Sequence, residues 1–309
     1  MKIEDLREAY GRELLKIARE DKRVVALDAD LCGATMTILL EKEMPERFFE
    51  MGIAEANMVS VAAGLALAGK IPFVNSFSVF AAGQPYNQIR QGVALPKLNV
   101  RIVGSSCGLS SAGDGATHQS IEDIAIMRAI PNITVIVPVD AEETRKVVRA
   151  SLQHEGPIYI RISRGSLPVL TNWDTIFTIG KMNPMANGSD VTVFATGLMV
   201  YQALQAREAL AKDGISIGVV NVSTIKPLDP NEILQYARDV KGIVTAEEHS
   251  IIGGLGSAIA EAISDKMIPI KMVGIKDQFG QSASSHEELL EYYHLTPQAI
   301  KEKVKEILN

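Results

Sequence analysis

Residues 110–140 read SSAGDGATHQSIEDIAIMRAIPNITVIVPVD, and the order of patterns in this stretch decides the fold. A run of small residues (105–115) leads into Thr117 and His118, a helical pattern starts near Ser120, and the β-branched run ITVIVP follows. Loop, helix and strand in that order is the unit of a parallel sheet, because parallel neighbours need a crossover that packs a helix on the sheet face. The alternation extends in both directions. RVVAL, IPFVNS, NVRIVG, ITVIVP and PIYIRI are strand candidates in the first half; DVTVFA, ISIGVVN, GIVTAEE and IPIKMVGI are their counterparts in the second. MVYQALQAREALAKDG carries apolar residues at helical spacing and a closing Gly, and TIKPLDPNEILQYARD places Pro230 at the first helical position after Asp229. Between residues 164 and 190 the pattern lapses into RGSLPVLTNWDTIFTIGKMNPMANGSD, rich in Gly, Pro, Asn and Ser, which marks a domain boundary. The expectation is two three-layer α/β domains, each with a mainly parallel sheet: residues 1–165, a linker at 166–188, and residues 189–309.

With 309 residues, 47% hydrophobic and 22% charged, the chain has an ordinary globular composition and enough apolar material for a core in each domain. Its net charge of -6 gives no general electrostatic reason to bind nucleic acid or an anionic membrane. An anionic substrate must therefore be held by a few local cations. Cys32 and Cys107 form neither a disulfide framework nor a zinc pattern, and the start, MKIEDLREAYGRELLKIARED, is charged and amphipathic, unlike a signal peptide. Both features suit the cytoplasm. The longest apolar stretch, 58–69, is shorter than the roughly 18 residues of a spanning helix, so no membrane anchor is expected.

Three stretches carry candidate chemistry. In MGIAEANMVSVAAGLALAGK (51–70) a helix would put Met58, Val59, Ala62 and Ala63 on the face of Glu55. Burying an ionised carboxylate there costs several kcal/mol, on the order of the desolvation penalty, unless something shares its proton or charge. The ordinary alternative is a first-turn Glu favoured by the helix dipole and wet at its tip. NSFSVFAAGQPYNQIRQGV sets Phe77 and Phe80 at i and i+3 in a protein only 5% aromatic. They are either a core pair or, with Ser76, Ser78, Ala81, Ala82 and Gly83 leaving room around them, a platform for a flat heteroaromatic ligand. Around His118, small residues beside a helix start suit the approach of a polar ligand, although Gly113-Asp114-Gly115 alone could be no more than a tight turn.

Taken together, these stretches resemble the C-terminal part of transketolase, its pyrimidine-binding domain followed by its small C-terminal domain. GIAEANM resembles the family segment that bears the catalytic glutamate, and DGATHQSIEDIAIMRAIPNITVIVPVD is similar to its DG-x-THQ-x-IE loop over nearly thirty positions. KPLD, AEEHSIIGGLGSAIAE and DQFGQS resemble the second domain. The resemblance covers almost the whole chain and lacks the family's N-terminal half, which carries the diphosphate and metal site. It therefore implies one subunit of a split transketolase, moving a two-carbon ketol unit between phosphorylated sugars. The cofactor it implies is thiamine diphosphate shared with the partner chain, with Mg2+ or Ca2+ held by that partner. Gly113-Asp114-Gly115 is not read as the metal signature, because the paired Asn that the family places two to three dozen residues on is missing from ITVIVPVDAEETRKVV.

By the same resemblance, Glu55 hydrogen-bonds N1′ of the aminopyrimidine and favours the 4′-imino form that deprotonates thiazolium C2. An apolar surround eases that proton sharing, since it raises the cost of the carboxylate's charge. Phe77 and Phe80 flank the pyrimidine, and Asp30 lies near the thiazolium. His118 and Asp114 meet donor hydroxyls beside the reacting carbon, and Arg7 and Arg164 grip the sugar phosphate with guanidinium forks. The two arginines could instead be surface or domain-joining salt bridges. Ala34 stands where many transketolases have a phosphate-binding Ser, and Ser106 where they have a His. The expected assembly is α2β2 around a homodimer core, with the second domain used mainly for dimer contacts and the isolated chain inactive. Competing readings are the β subunit of a 2-oxoacid dehydrogenase, a deoxyxylulose-phosphate synthase-like enzyme, and a non-catalytic assembly subunit.

Overall fold

The computed structural model describes residues 2–309. Every run read as a strand forms one. The larger sheet has seven strands in the order Thr224–Lys226, Thr134–Ile136, Ile158–Arg161, Arg101–Ser105, Ile71–Phe77, Val24–Asp28 and Phe48–Glu50. All neighbours are parallel except the first pair. Its middle strands are buried residue by residue, which is why they read as continuous apolar runs rather than alternating ones.

A second sheet of five strands runs Ile270–Ile275, Ile243–Ser250, Val191–Ala195, Ile217–Asn221 and Asn183–Ala186, antiparallel only at the last pair. The two units are interlaced. Thr224–Lys226 leaves the second unit to pair with Thr134–Ile136 of the first sheet, and Ser166–Pro168 returns to pair with Ile3–Asp5 at the chain start. Two apolar clusters each draw buried residues from both units, so the contact between them is core and not a thin seam.

Helices follow local signals. Asp5 caps Leu6–Glu20 by accepting from the N–H groups of Arg7 and Glu8, Asp140 caps Ala141–Ser151, and Asp229 caps Pro230–Ala237 with Pro230 in its first turn. The helix expected near Ser120 begins at Asp123. Ser120 is drawn into an isolated bridge with Gly108, and its carbonyl accepts from Arg161, so the backbone is spent on tertiary contacts before the helix can start. Among the described residues no helix is long and apolar enough to cross a membrane.

The parallel order fixes where chemistry can sit. Side chains that follow the carboxyl ends of adjacent parallel strands gather on one edge of the sheet, the usual place for ligands in such folds. Here those ends lead to Asp30, to Glu55, to Phe77, to the loop carrying Asp114 and His118, and to Arg164.

Candidate active site

Glu55 opens the helix Glu55–Leu67, whose buried residues are Glu55, Met58, Val59, Ala62 and Ala63, the face that the sequence places together. The side chain is 7% exposed. Its one hydrogen-bond partner among the described residues is Ser76, whose Oγ donates to Oε1 at 3.2 Å. The other carboxylate oxygen accepts no hydrogen bond among the described residues, which leaves it open to an external donor.

Ser76 is followed directly by Phe77, the last residue of Ile71–Phe77 and the residue that precedes the helix Ser78–Gly83. One turn on, Phe80 stacks with it at 6.3 Å between centroids and 18° between planes. His118 meets both rings edge-on, at 6.2 Å from Phe77 and 5.3 Å from Phe80. The guanidinium of Arg164 lies 5.8 Å from the Phe77 ring centroid. Phe77, Phe80, His118, Arg164 and Asp114 are thus one contiguous group, since Arg164 also donates to Asp114 at 2.5 Å and to Ser111 at 3.4 Å. Thr117 Oγ1 lies 2.9 Å from His118 Nδ1 and steadies the ring.

Arg7 and Asp30 stand apart from this group: no hydrogen bond, ion pair or ring contact joins them to it among the described residues. Arg7 forks onto Asp5 at 2.8 and 3.4 Å and donates to the Ala34 carbonyl at 3.3 Å, which puts it beside one of the two positions where the sequence departs from the family pattern. Asp30 is exposed, has left-handed backbone (φ 61°) and donates its N–H to Glu50 at 2.8 Å. The turn holding it is built on Asp28, whose carboxylate accepts from Leu31 N–H, Thr35 and Thr37 and is pushed up to about 6 by burial. Ser106, the second departure, is buried with φ 54° and its hydroxyl has no partner among the described residues. Left-handed backbone at a non-glycine residue is uncommon and concentrates at functional sites.

Residues 4–169 match the family model described as transketolase, pyrimidine binding domain, and residues 180–300 match that of the transketolase C-terminal domain. The chain belongs to the transketolase family. It is 45% identical over 305 residues to a Methanocaldococcus jannaschii protein named as a transketolase C-terminal section, covering 97% of this chain and 95% of the other. It is 43% identical over 310 residues to a 6-deoxy-6-sulfo-D-fructose transketolase subunit of Clostridium sp. strain MSTE9, covering 99% and 96%. Among solved structures it is similar to one described as a split-gene transketolase, inactive beta4 tetramer, with TM-score 0.91, 45% identity and 98% of each chain covered. This transketolase chain therefore carries the two domains of the family's C-terminal half, and matches relatives that are themselves separate sections or subunits.

Sequence reasoning missed several residues around the site. Ser76 was read only as a small residue leaving space, yet it is the partner of Glu55. Asp28 drew no reading, yet it closes the strand Val24–Asp28 and holds the turn that carries Asp30. Asp123 and Arg161 form a buried ion pair at 2.8 Å that ties the helix after the His118 loop to the strand Ile158–Arg161. Arg161 holds the pair's proton firmly despite burial, because Asp123 lies against it. Its Nη2 also donates to the Glu248 carbonyl, a contact 87 residues away that no local pattern announces.

Proposed function

We propose that the chain is the pyrimidine-side subunit of a two-chain transketolase, active only with a partner chain that supplies the diphosphate and metal site. The observation that carries this reading is the buried Glu55 carboxylate, with Ser76 at one oxygen and the other oxygen open, on the same sheet edge as a stacked phenyl pair. That donor and ring set suits an aminopyrimidine, which needs an apolar face to lie on and a carboxyl partner for a weakly basic ring nitrogen. When bound, thiamine diphosphate supplies the carbanion-stabilising chemistry of the transfer.

The chain's own residues then divide the remaining work. Glu55 shares a proton with N1′, and Ser76 holds its carboxylate in place while the surrounding Met58, Val59 and Ala62 keep water away. Phe77 and Phe80 fix the plane of the pyrimidine. His118 and Asp114 take donor hydroxyls near the reacting carbon, with Thr117 orienting the imidazole. Arg164 and Arg7 would bind the sugar's anionic end, and Asp30 would face the thiazolium. Mg2+ or Ca2+ belongs to the partner chain in this reading. The inactive tetramer formed by the similar split-gene chain supports a subunit that self-associates yet needs a second polypeptide.

A second reading changes the anionic group on the donor. The Clostridium relative is named for a sulfonated fructose, and Ala34 and Ser106 depart from the family at the phosphate and sugar positions. Co-expression with an N-terminal transketolase chain, followed by assay of ketol transfer from xylulose 5-phosphate to ribose 5-phosphate, separates the possibilities. Transfer is the expected result. Activity with 6-deoxy-6-sulfofructose alone supports the second reading, and activity with pyruvate alone overturns both.

A further inference from the structure

We infer that Glu248 and His286, both from the second sheet unit, are positioning residues that set the loop bearing Asp114 and His118. Glu248 lies in the strand Ile243–Ser250, and His286 opens the helix His286–Tyr292 behind its capping residue Ser285. Glu248 Oε1 accepts the Leu109 N–H at 2.6 Å and contacts His286 Nε2 at 2.8 Å. Both side chains are largely buried, at 5% and 14% exposure. Burial pulls the imidazole down, but the adjacent carboxylate outweighs it and holds His286 above its ordinary value, so the two groups attract as a pair.

The loop is shaped to receive this carboxylate. Gly108 has φ +59°, and a Cβ there would come within 2.6 Å of the Glu248 carboxyl group. Only glycine meets both demands. Further along, Ala112 accepts from Ala283 N–H at 2.9 Å, and Gln119 Nε2 donates to the Gln281 carbonyl at 2.9 Å. The second unit therefore holds residues 108–119 at the beginning, the middle and the end. From the other side, Ser110 Oγ accepts the Arg164 N–H at 3.1 Å, and Arg164 pairs with Asp114. Shifting the loop's anchor at Leu109 moves Ser110, and with it both the arginine and the aspartate.

This inference rests on the reading of Asp114 and His118 as donor-binding groups, but its geometry can be tested without it. In the isolated chain, His286→Leu should raise hydrogen-exchange uptake in residues 109–119 at least threefold and leave the core strand Arg101–Ser105 unchanged. In the reconstituted two-chain enzyme it should raise KM for xylulose 5-phosphate about tenfold, with thiamine diphosphate affinity within twofold of wild type. His286→Gln, whose amide nitrogen replaces the lost donor, should restore both values to within about twofold. Unchanged exchange in His286→Leu, or a Gln variant as impaired as Leu, overturns the inference. Should the Leu variant fail to fold, Glu248→Ala, which leaves the Leu109 N–H without its acceptor, carries the same comparison, and unaltered exchange at 109–119 overturns it equally. A wild-type complex that transfers no ketol unit contradicts the proposed function, while the exchange result still decides the positioning role.

Discussion

A single carboxylate illustrates what residue-level physics can reveal. Glu55 was legible because its helical neighbours Met58, Val59, Ala62 and Ala63 are all apolar, so a charged group on that face needed a reason to be there. Its hydrogen-bond partner Ser76 was not, because the contact closes a separation of 21 residues, from the start of one helix to the end of the next strand. Arg164 permits a sharper test at the same scale. Its ion pair with Asp114 is a little over a third exposed on both sides, and such pairs contribute about 0–1 kcal/mol. Arg164→Ala should therefore leave urea-unfolding stability within about 1 kcal/mol, yet raise KM for a phosphorylated donor at least tenfold while sparing an unphosphorylated ketose donor. Equal losses with both donors would assign the residue to loop structure and not to the anion.

Elements were legible where burial imposes a continuous pattern. The central strands Val24–Asp28, Ile71–Phe77 and Arg101–Ser105 carry unbroken apolar runs because both faces are covered, with polar residues only towards their ends. The short strands Phe48–Glu50 and Thr224–Lys226 escaped notice, since three residues at a sheet edge carry no period and are ordered by their neighbours. The N-terminus of Ala141–Ser151 shows a further tertiary demand. Glu143 in its first turn accepts from Val139 N–H and Ser223 at 2.7 Å and from Asn221 at 3.1 Å, joining the two units, and burial pushes it up to about 7. A carboxyl group raised in the folded state contributes stability that is complete below its unfolded value near 4.5 and is lost as pH rises through 7. Between pH 5 and pH 8 wild type should lose roughly 2–3 kcal/mol relative to Glu143→Gln, measured by urea unfolding of both proteins. A pH-independent difference between them would refute the assignment.

For the whole molecule, the two interlaced units make sense of a site that neither completes alone. The first unit brings Glu55, Phe77, Phe80, His118, Asp114 and Arg164 to one sheet edge, and residues 277–286 of the second brace the loop from behind. Motif spacing in the sequence announced the first contribution. It was silent on the second, because the Leu109 to Glu248 bond closes a separation of 139 residues with no shared local pattern. In the proposed function the diphosphate side of the cofactor comes from a different chain. The most direct measurement is ketol transfer by that chain reconstituted with either wild-type protein or Glu55→Gln, with assembly monitored by size-exclusion chromatography. General acid–base groups contribute about 10²–10⁴-fold, so the variant complex should assemble normally and turn over at least a hundredfold more slowly. An assembled Glu55→Gln complex that runs at the wild-type rate would contradict the role given to this carboxylate.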